Sequence, residues 1–420
     1  MKQRRLTLRL IAAVAAFALV GVACSSAPES TSTTSGGVDK SADEMSEVTP
    51  AVDTQAATLT RDLTALLAEH EYLAGTAIYT AVKAKGDLEN PTVKAAVGAL
   101  DDNSQALAGA VGGIYGDEAG DKFLKLWRAH IGFFVNYTLG SATGDKAMAK
   151  AAEKDLDGYR QDFGALIEGA TEGELTQEQV ADALTVHVES TLTAIDSVVA
   201  GKADAFDKLQ VAAHHLPMLA TALSGAISAQ QDFEGEADDG AAQLQRDLTS
   251  LLVGHEYHAG LAIYTAVEAG GDLKNPTVQA AVGALDKNSM ELAAAIASVY
   301  GDAAGEKFLK LWRAHIGFFV NYTLGSATGD KAMAKAALKD LDGYRADFGA
   351  LIEGATEGGL SQAQVEDALK PHVESTLAAI DSVVAGKADA FDKLQEAAGH
   401  MPHIATALSG AIVAQFPDKF

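Results

Sequence analysis

The sequence predicts an all-α fold: two tandem antiparallel helical bundles of about six helices each, joined by a short acidic linker. Three observations carry this. Sliding the chain by 185 positions aligns about Leu59–Gln230 with Leu244–Gln415 without a gap, and Lys122–Ala152 recurs letter for letter as Lys307–Ala337. Such a duplication sets the domain organisation before any residue is interpreted. Apolar residues recur at helical spacing, as in Trp127, His130, Phe134 and Tyr137, whose separations place them on one helical face. Strand signals are absent, since apolar alternation is rare and alanine abundant, which leaves helix-on-helix packing as the architecture. Each unit, of about 175 residues, is large enough to bury a core without disulfides.

The chain opens with basic residues, an apolar run Leu10–Val20 too short to span a bilayer comfortably, and Gly21-Val22-Ala23-Cys24-Ser25-Ser26. That order predicts an export signal over residues 1–23. It resembles the lipobox of bacterial lipoproteins, in which a small residue precedes a cysteine that is lipidated and becomes the new N-terminus. Gly21 stands where that family usually carries an aliphatic residue. The resemblance implies lipidation at Cys24, the one cysteine of the chain, and a location on the extracytoplasmic face of the cell membrane. Plain secretion is the alternative. Arg4-Arg5 also resembles a twin-arginine signal, with Thr7 where a large apolar residue is usual; that route exports proteins already folded around a cofactor.

Residues 24–55 are rich in Ser, Thr, Gly, Asp and Glu, cannot bury enough apolar surface to order themselves, and read as a flexible tether. The first repeat, 56–230, reads as six helices. The first, about Thr58–Lys85, carries Leu63, Leu66, Leu67, His70, Ala74, Ala77 and Ile78 on one side and stops at Gly86-Asp87. Asn90-Pro91 starts the second, with Asn as N-cap and Pro at the first helical position. The third, about Asp117–Leu139, carries the Trp–His–Phe–Tyr face, and the fourth spans roughly Asp145–Gly169. Thr176 with Gln179, repeated as Ser361 with Gln364, makes a capping box for the fifth. Gly201 breaks it, and Asp204 begins a sixth that continues to about Gln230. The acidic joint within residues 231–240 predicts that the second repeat, 241–420, moves relative to the first.

The net charge of −25 becomes −29 once Lys2, Arg4, Arg5 and Arg9 leave with the signal, which argues against nucleic acid and anionic lipid headgroups as partners. The chemistry, if any, lies in the histidines. Eight of the eleven form pairs at the repeat offset: His70 and His255, His130 and His315, His187 and His372, His215 and His400. The other three, His214, His258 and His403, are their neighbours. Each of the four per repeat sits on an apolar stripe about 11 to 13 residues into its helix, roughly 17–20 Å along at 1.5 Å per residue. Helices of similar length packed up and down would hold all four at one height, as metal sites in bundles are built. Imidazole donors favour copper, zinc or iron over calcium or magnesium, and Met218 and Met401 beside His215 and His400 tilt toward copper. Asp162, Tyr159, Glu189 or Asp101 with Asn103-Ser104 (Asp286 with Asn288-Ser289) are candidate supports, and Glu71 persists beside His70. The contrary expectation is that each histidine separately satisfies a backbone carbonyl, a Tyr or a carboxylate.

No HExxH, paired-cysteine, CxxCH, phosphate-loop or nucleophile-elbow pattern is present. The LWRAHIGFFVNYT core, with its upstream Glu-His and downstream His-Met, is similar to a helical domain of bacterial envelope proteins sometimes labelled copper-amine-oxidase-like. That domain implies no assigned activity, and the HxH ligand pair and cofactor-forming tyrosine motif of copper amine oxidases are missing. The expectation is a lipid-anchored binding protein that holds a transition metal or cofactor in each repeat. A structural or interaction lipoprotein with packing-only histidines comes second, and an enzyme using a histidine-bound metal third.

Overall fold

The computed structural model describes residues 51–420; the expected signal peptide, Cys24 and most of the tether lie outside them. The first repeat comprises α1 (Gln55–Lys83), α2 (Pro91–Tyr115), α3 (Asp117–Thr143), α4 (Lys146–Ala170), α5 (Gln177–Val199), α6 (Ala205–Ala213) and α7 (Leu216–Gln231). The second repeats them as α8 (Gly240–Glu268), α9 (Pro276–Tyr300), α10 (Asp302–Thr328), α11 (Lys331–Ala355), α12 (Gln362–Val384), α13 (Ala390–Ala398) and α14 (Met401–Gln415). No strand occurs among the described residues, and no described helix is long and apolar enough to cross a membrane.

Local chemistry accounts for the boundaries. The Asn90 and Asn275 side chains accept from the backbone two residues on, ahead of Pro91 and Pro276. Asp145 accepts from Ala147 and Met148, and both expected capping boxes form. Gly144, at φ +73°, closes α3 in the left-handed conformation that a residue without Cβ adopts freely. The expected sixth helix is instead two: α6 ends at Ala213, and α7 restarts with Pro217 near its beginning. Pro402 sits at the same place in α14. Proline has no N–H for the ladder and its ring collides with the preceding turn, which disfavours one continuous helix there.

The two repeats meet along α1 and α8, which pack side by side, and one apolar core runs through both. Tyr72 and its repeat equivalent Tyr257 stack on each other, centroids 5.7 Å apart and planes within 7°. Arg61 donates to Thr406 at 3.2 Å, and the equivalent Arg246 donates to the equivalent Thr221 at 3.0 Å. Equivalent residues meeting each other, and reciprocal contacts on either side, are what a two-fold axis imposes; here it is an approximate one within a single chain. The acidic joint is held as well: the Glu234 carbonyl accepts from the Ala56 N–H, and the Glu234 N–H donates to Gln55 Oε1. Val52, placed by sequence in the tether, is fully buried against Ala241 and Val413, and Thr54 caps α1. The two repeats are therefore packed against each other along α1 and α8, not joined through the acidic linker alone.

Candidate functional site

Within the first repeat, α1 brings His70 and Glu71, α3 brings Trp127 and His130, α4 brings Tyr159, and α5 brings His187 and Thr191 into one layer. All three histidines are buried. The spacing that put Trp127, His130, Phe134 and Tyr137 on one face places all four inside. Trp127 lies edge-on to His130 at 4.6 Å and tilted to His70 at 4.7 Å, while Tyr159 stacks on His130 at 4.7 Å. The two imidazoles are thus fixed by aromatic walls.

The rings meet at Nε2: His70 Nε2 and His130 Nε2 are 3.3 Å apart, and His255 Nε2 and His315 Nε2 are also 3.3 Å apart. Two nitrogens bound at about 2.0–2.1 Å to one tetrahedral ion stand about 3.3–3.4 Å from each other. His187 does not join the pair. Its Nδ1 is 3.7 Å from Glu71 Oε2, and in the second repeat His372 Nδ1 is 3.5 Å from Glu256 Oε2. Thr191 donates to both Glu71 oxygens at 3.2 and 3.3 Å, and Thr376 donates to Glu256 at 3.2 Å.

Burial decides the charge states. It pushes His70 down to about 3 and His187 to about 4, and His130 lies well below the usual imidazole value. The second repeat follows, with His315 near 3, His372 near 4 and His255 well below the usual value. Desolvation raises Glu71 and Glu256 to about 8. At neutral pH the layer therefore holds neutral imidazoles, each with a lone pair to offer, and protonated carboxyls. Several buried polar atoms in it have no hydrogen-bond partner: Nδ1 of His70, His130 and His187, Trp127 Nε1 and Tyr159 hydroxyl. Buried polar atoms are normally paired, so the clustering of these five in one layer singles it out.

An apolar chamber of about 60 Å³ opens above this layer in each repeat. In the first it is walled by Ala77, Ile78, Val97, Ile131, Phe134 and Leu139, with His70, Glu71 and His187 at its floor.

The remaining expected residues fall elsewhere. His215 and His400 are half-buried at the α6–α7 and α13–α14 breaks, outside the pairs, although each sits close enough to depress His187 or His372. The helix break that the sequence pattern hid is the reason. Asp162 and Glu189 are exposed, and Asp101 is engaged on the surface by Arg128 at 2.7 Å, as Asp286 is by Arg313 at 2.6 Å. Asn103 and Asn288, by contrast, are buried. Among the described residues no group of three or more His, Cys, Asp or Glu side chains is arranged to hold a metal ion, so the four-histidine site expected per repeat does not assemble as such. Glu69, unremarked in the sequence because its counterpart is Gly254, emerges as a largely buried carboxylate beside Asn103. No protein-family model, no curated protein and no solved structure matches this chain.

Proposed function

We propose that the protein is a lipid-anchored, extracytoplasmic binding protein that holds a transition metal ion at the His70–His130 pair of one repeat and the His255–His315 pair of the other. The observation that carries this is the 3.3 Å Nε2–Nε2 separation, present twice, between neutral imidazoles. As an N–H···N hydrogen bond that distance is long; as the edge of a tetrahedral shell it fits. The backbones of Trp127 and Trp312 favour a proton on His130 and His315, against the larger effect of burial. With Nδ1 protonated on both rings of a pair, the two Nε2 lone pairs would face one another across the gap, an arrangement a cation relieves. Nitrogen donors suit zinc, copper or iron. His187 and Glu71 line the same chamber as His70 and are further donors in the layer, and the chamber provides an approach for a small exogenous ligand.

Metal loading tests the reading. Protein exchanged against Zn²⁺, Co²⁺ or Cu²⁺ and then desalted should retain about one ion per repeat, and His130→Ala and His315→Ala should each remove one. An ion at about 100 times its dissociation constant stabilises the fold by about 2.7 kcal/mol, a readily measured rise in Tm. A wild-type chain that retains no ion under any loading condition would leave the second reading, an envelope interaction lipoprotein with packing-only histidines. The aromatic walls around each ring and the lack of a preformed third ligand favour that alternative.

The anchor has its own test. Cys24 lies outside the described residues, and the proposal rests on the basic start, the apolar run and Ala23-Cys24. Cys24→Ala should move the protein from the membrane fraction into the soluble extracytoplasmic fraction; unchanged partitioning would exclude lipidation.

A further inference from the structure

The two histidine pairs share their geometry but not what stands behind them. In the first repeat, Asn103 donates to the Leu66 carbonyl and to Glu69 Oε1, both at 3.0 Å. Its amide hydrogens being committed there, its carbonyl oxygen is left over; that oxygen and His70 Nδ1 are both buried without a hydrogen-bond partner, and Asn103 opposes the downward shift that burial imposes on His70. Glu69 Oε1 also accepts from Gln395, across the seam on α13, at 2.7 Å. The hydrogen-bonded Glu69–Asn103 pair thus leaves one free acceptor, Asn103 Oδ1, beside an imidazole whose Nδ1 is also free and whose Nε2 faces His130.

The second repeat lacks this arrangement. Position 254, equivalent to Glu69, is glycine, and a Cβ there would come within 2.9 Å of the Tyr72 hydroxyl. Asn288 still donates to the Leu251 carbonyl at 3.0 Å, but it has no carboxylate to engage. The glutamine equivalent to Gln395 is Gln210, and it reaches across the seam to Glu291 at 2.8 Å, a residue that replaces Ala106. Leu73 has become His258, a buried imidazole with both nitrogens unpartnered, which bears on His255 and disfavours positive charge there. All these differences lie on or beside the α1–α8 seam, so duplication has been followed by divergence where each half could lean on the other.

A carboxylate placed behind a ligating histidine fixes its tautomer and raises its basicity, and losing such a partner typically costs about 10–100-fold in metal affinity. We infer that the two pairs are unequal metal sites, the His70–His130 pair being the tighter, with Glu69 its positioning residue acting through Asn103. This rests on the metal reading proposed above and adds the order of filling and its cause.

The test uses the full folded chain and Co²⁺, whose absorption reports coordination. Wild-type protein should bind in two classes differing by about 10–100-fold. His130→Ala should delete the tight class and His315→Ala the weak one. Glu69→Gln, which keeps the side-chain size and an acceptor for Gln395, should weaken the tight class toward the weak one and leave the weak class unmoved. Loss of the weak class in His130→Ala, or equal weakening of both classes by Glu69→Gln, would overturn the inference. A second measurement needs no metal. Long-range ¹H–¹⁵N spectra of the metal-free protein should show distinct ring nitrogen signals for His70 and His255, with Glu69→Gln moving His70 toward His255. Coincident signals in the wild type would overturn the inequality even if both pairs bind metal. Distinct signals in a protein that binds no ion would retain the asymmetry and remove the metal reading instead.

Discussion

Side chains buried in the wrong charge state for water make stability depend on pH, and each layer here contains both signs of that effect. His70, His187, His315 and His372 titrate near 3–4 in the fold against 6.5 when exposed, and His130 and His255 are also shifted down. Below pH 6.5 the unfolded chain therefore takes up more protons at these sites, and their contribution to stability is lost as pH falls toward 4 and 3. Glu71 and Glu256 run the other way: raised from 4.5 to about 8, they favour the fold at low pH and lose that contribution as pH rises through 8. With six histidines opposing two carboxyls, Tm should peak near pH 6.5 and decline on both sides. Glu71→Gln with Glu256→Gln should flatten the alkaline limb between pH 6.5 and 8 while leaving the acid limb in place. Thermal melts across pH 4–9 decide this, and an alkaline limb unchanged in the double variant would assign the decline to other groups. Of this site, the burial of His130 was legible because Trp127, His130 and Phe134 share a face that must point inward, but not that His70 alone of the other three expected histidines would meet it. The role of Glu71 was only half legible. Adjacency to His70 marks it, but nothing local reveals that α5 delivers Thr191 and His187 to meet it.

Helix boundaries were legible wherever a side chain caps the backbone locally, as at Asn90-Pro91 and Thr176–Gln179. They were hidden where the apolar pattern runs on through a break, as across His214–Pro217. Close helix crossings were hidden too, because a glycine inside a helix reads as a defect until its neighbour is known. Gly120 on α3 is such a case: a Cβ there would stand 2.7 Å from the Ala108 carbonyl oxygen on α2, and Gly305 has the same relation to Ala293 at 2.8 Å. Gly132, on the same helix, has nothing within 4 Å of its would-be Cβ. Alanine favours a helix over glycine by about 0.5–1 kcal/mol, so Gly132→Ala should stabilise by that amount. At Gly120 the same gain is opposed by backbone that cannot rotate away, and overpacking costs about 1–3 kcal/mol. Gly120→Ala should therefore lower Tm where Gly132→Ala raises it. Denaturant titrations of the two variants settle the comparison, and a stabilising Gly120→Ala would mean that α2 and α3 are free to separate.

At the scale of the whole chain, the gapless repeat made two bundles legible, but not that they share a core, since a seam between α1 and α8 leaves no periodic mark of its own in the sequence. The seam has a direction. Tyr72 fits against Gly254, whereas Tyr257 lies against Glu69, so the two faces complement each other better than either complements itself. Were two copies of the first repeat to pair in the same way, a Glu69 would stand behind each tyrosine, doubling the desolvated carboxyl that the intact chain buries once. A fragment spanning 51–231 should accordingly expose Tyr72, Leu73 and their surrounding apolar surface, and should self-associate or aggregate rather than behave as a folded monomer. A fragment spanning 232–420 should bind it one to one in preference to a second copy of itself. The mixed complex should recover the helix content and single melting transition of the intact chain. Light scattering and circular dichroism of the fragments, separately and mixed, test this. If each half alone is monomeric and melts cooperatively at the temperature of the whole, the seam contributes no stability and the bundles are independent after all.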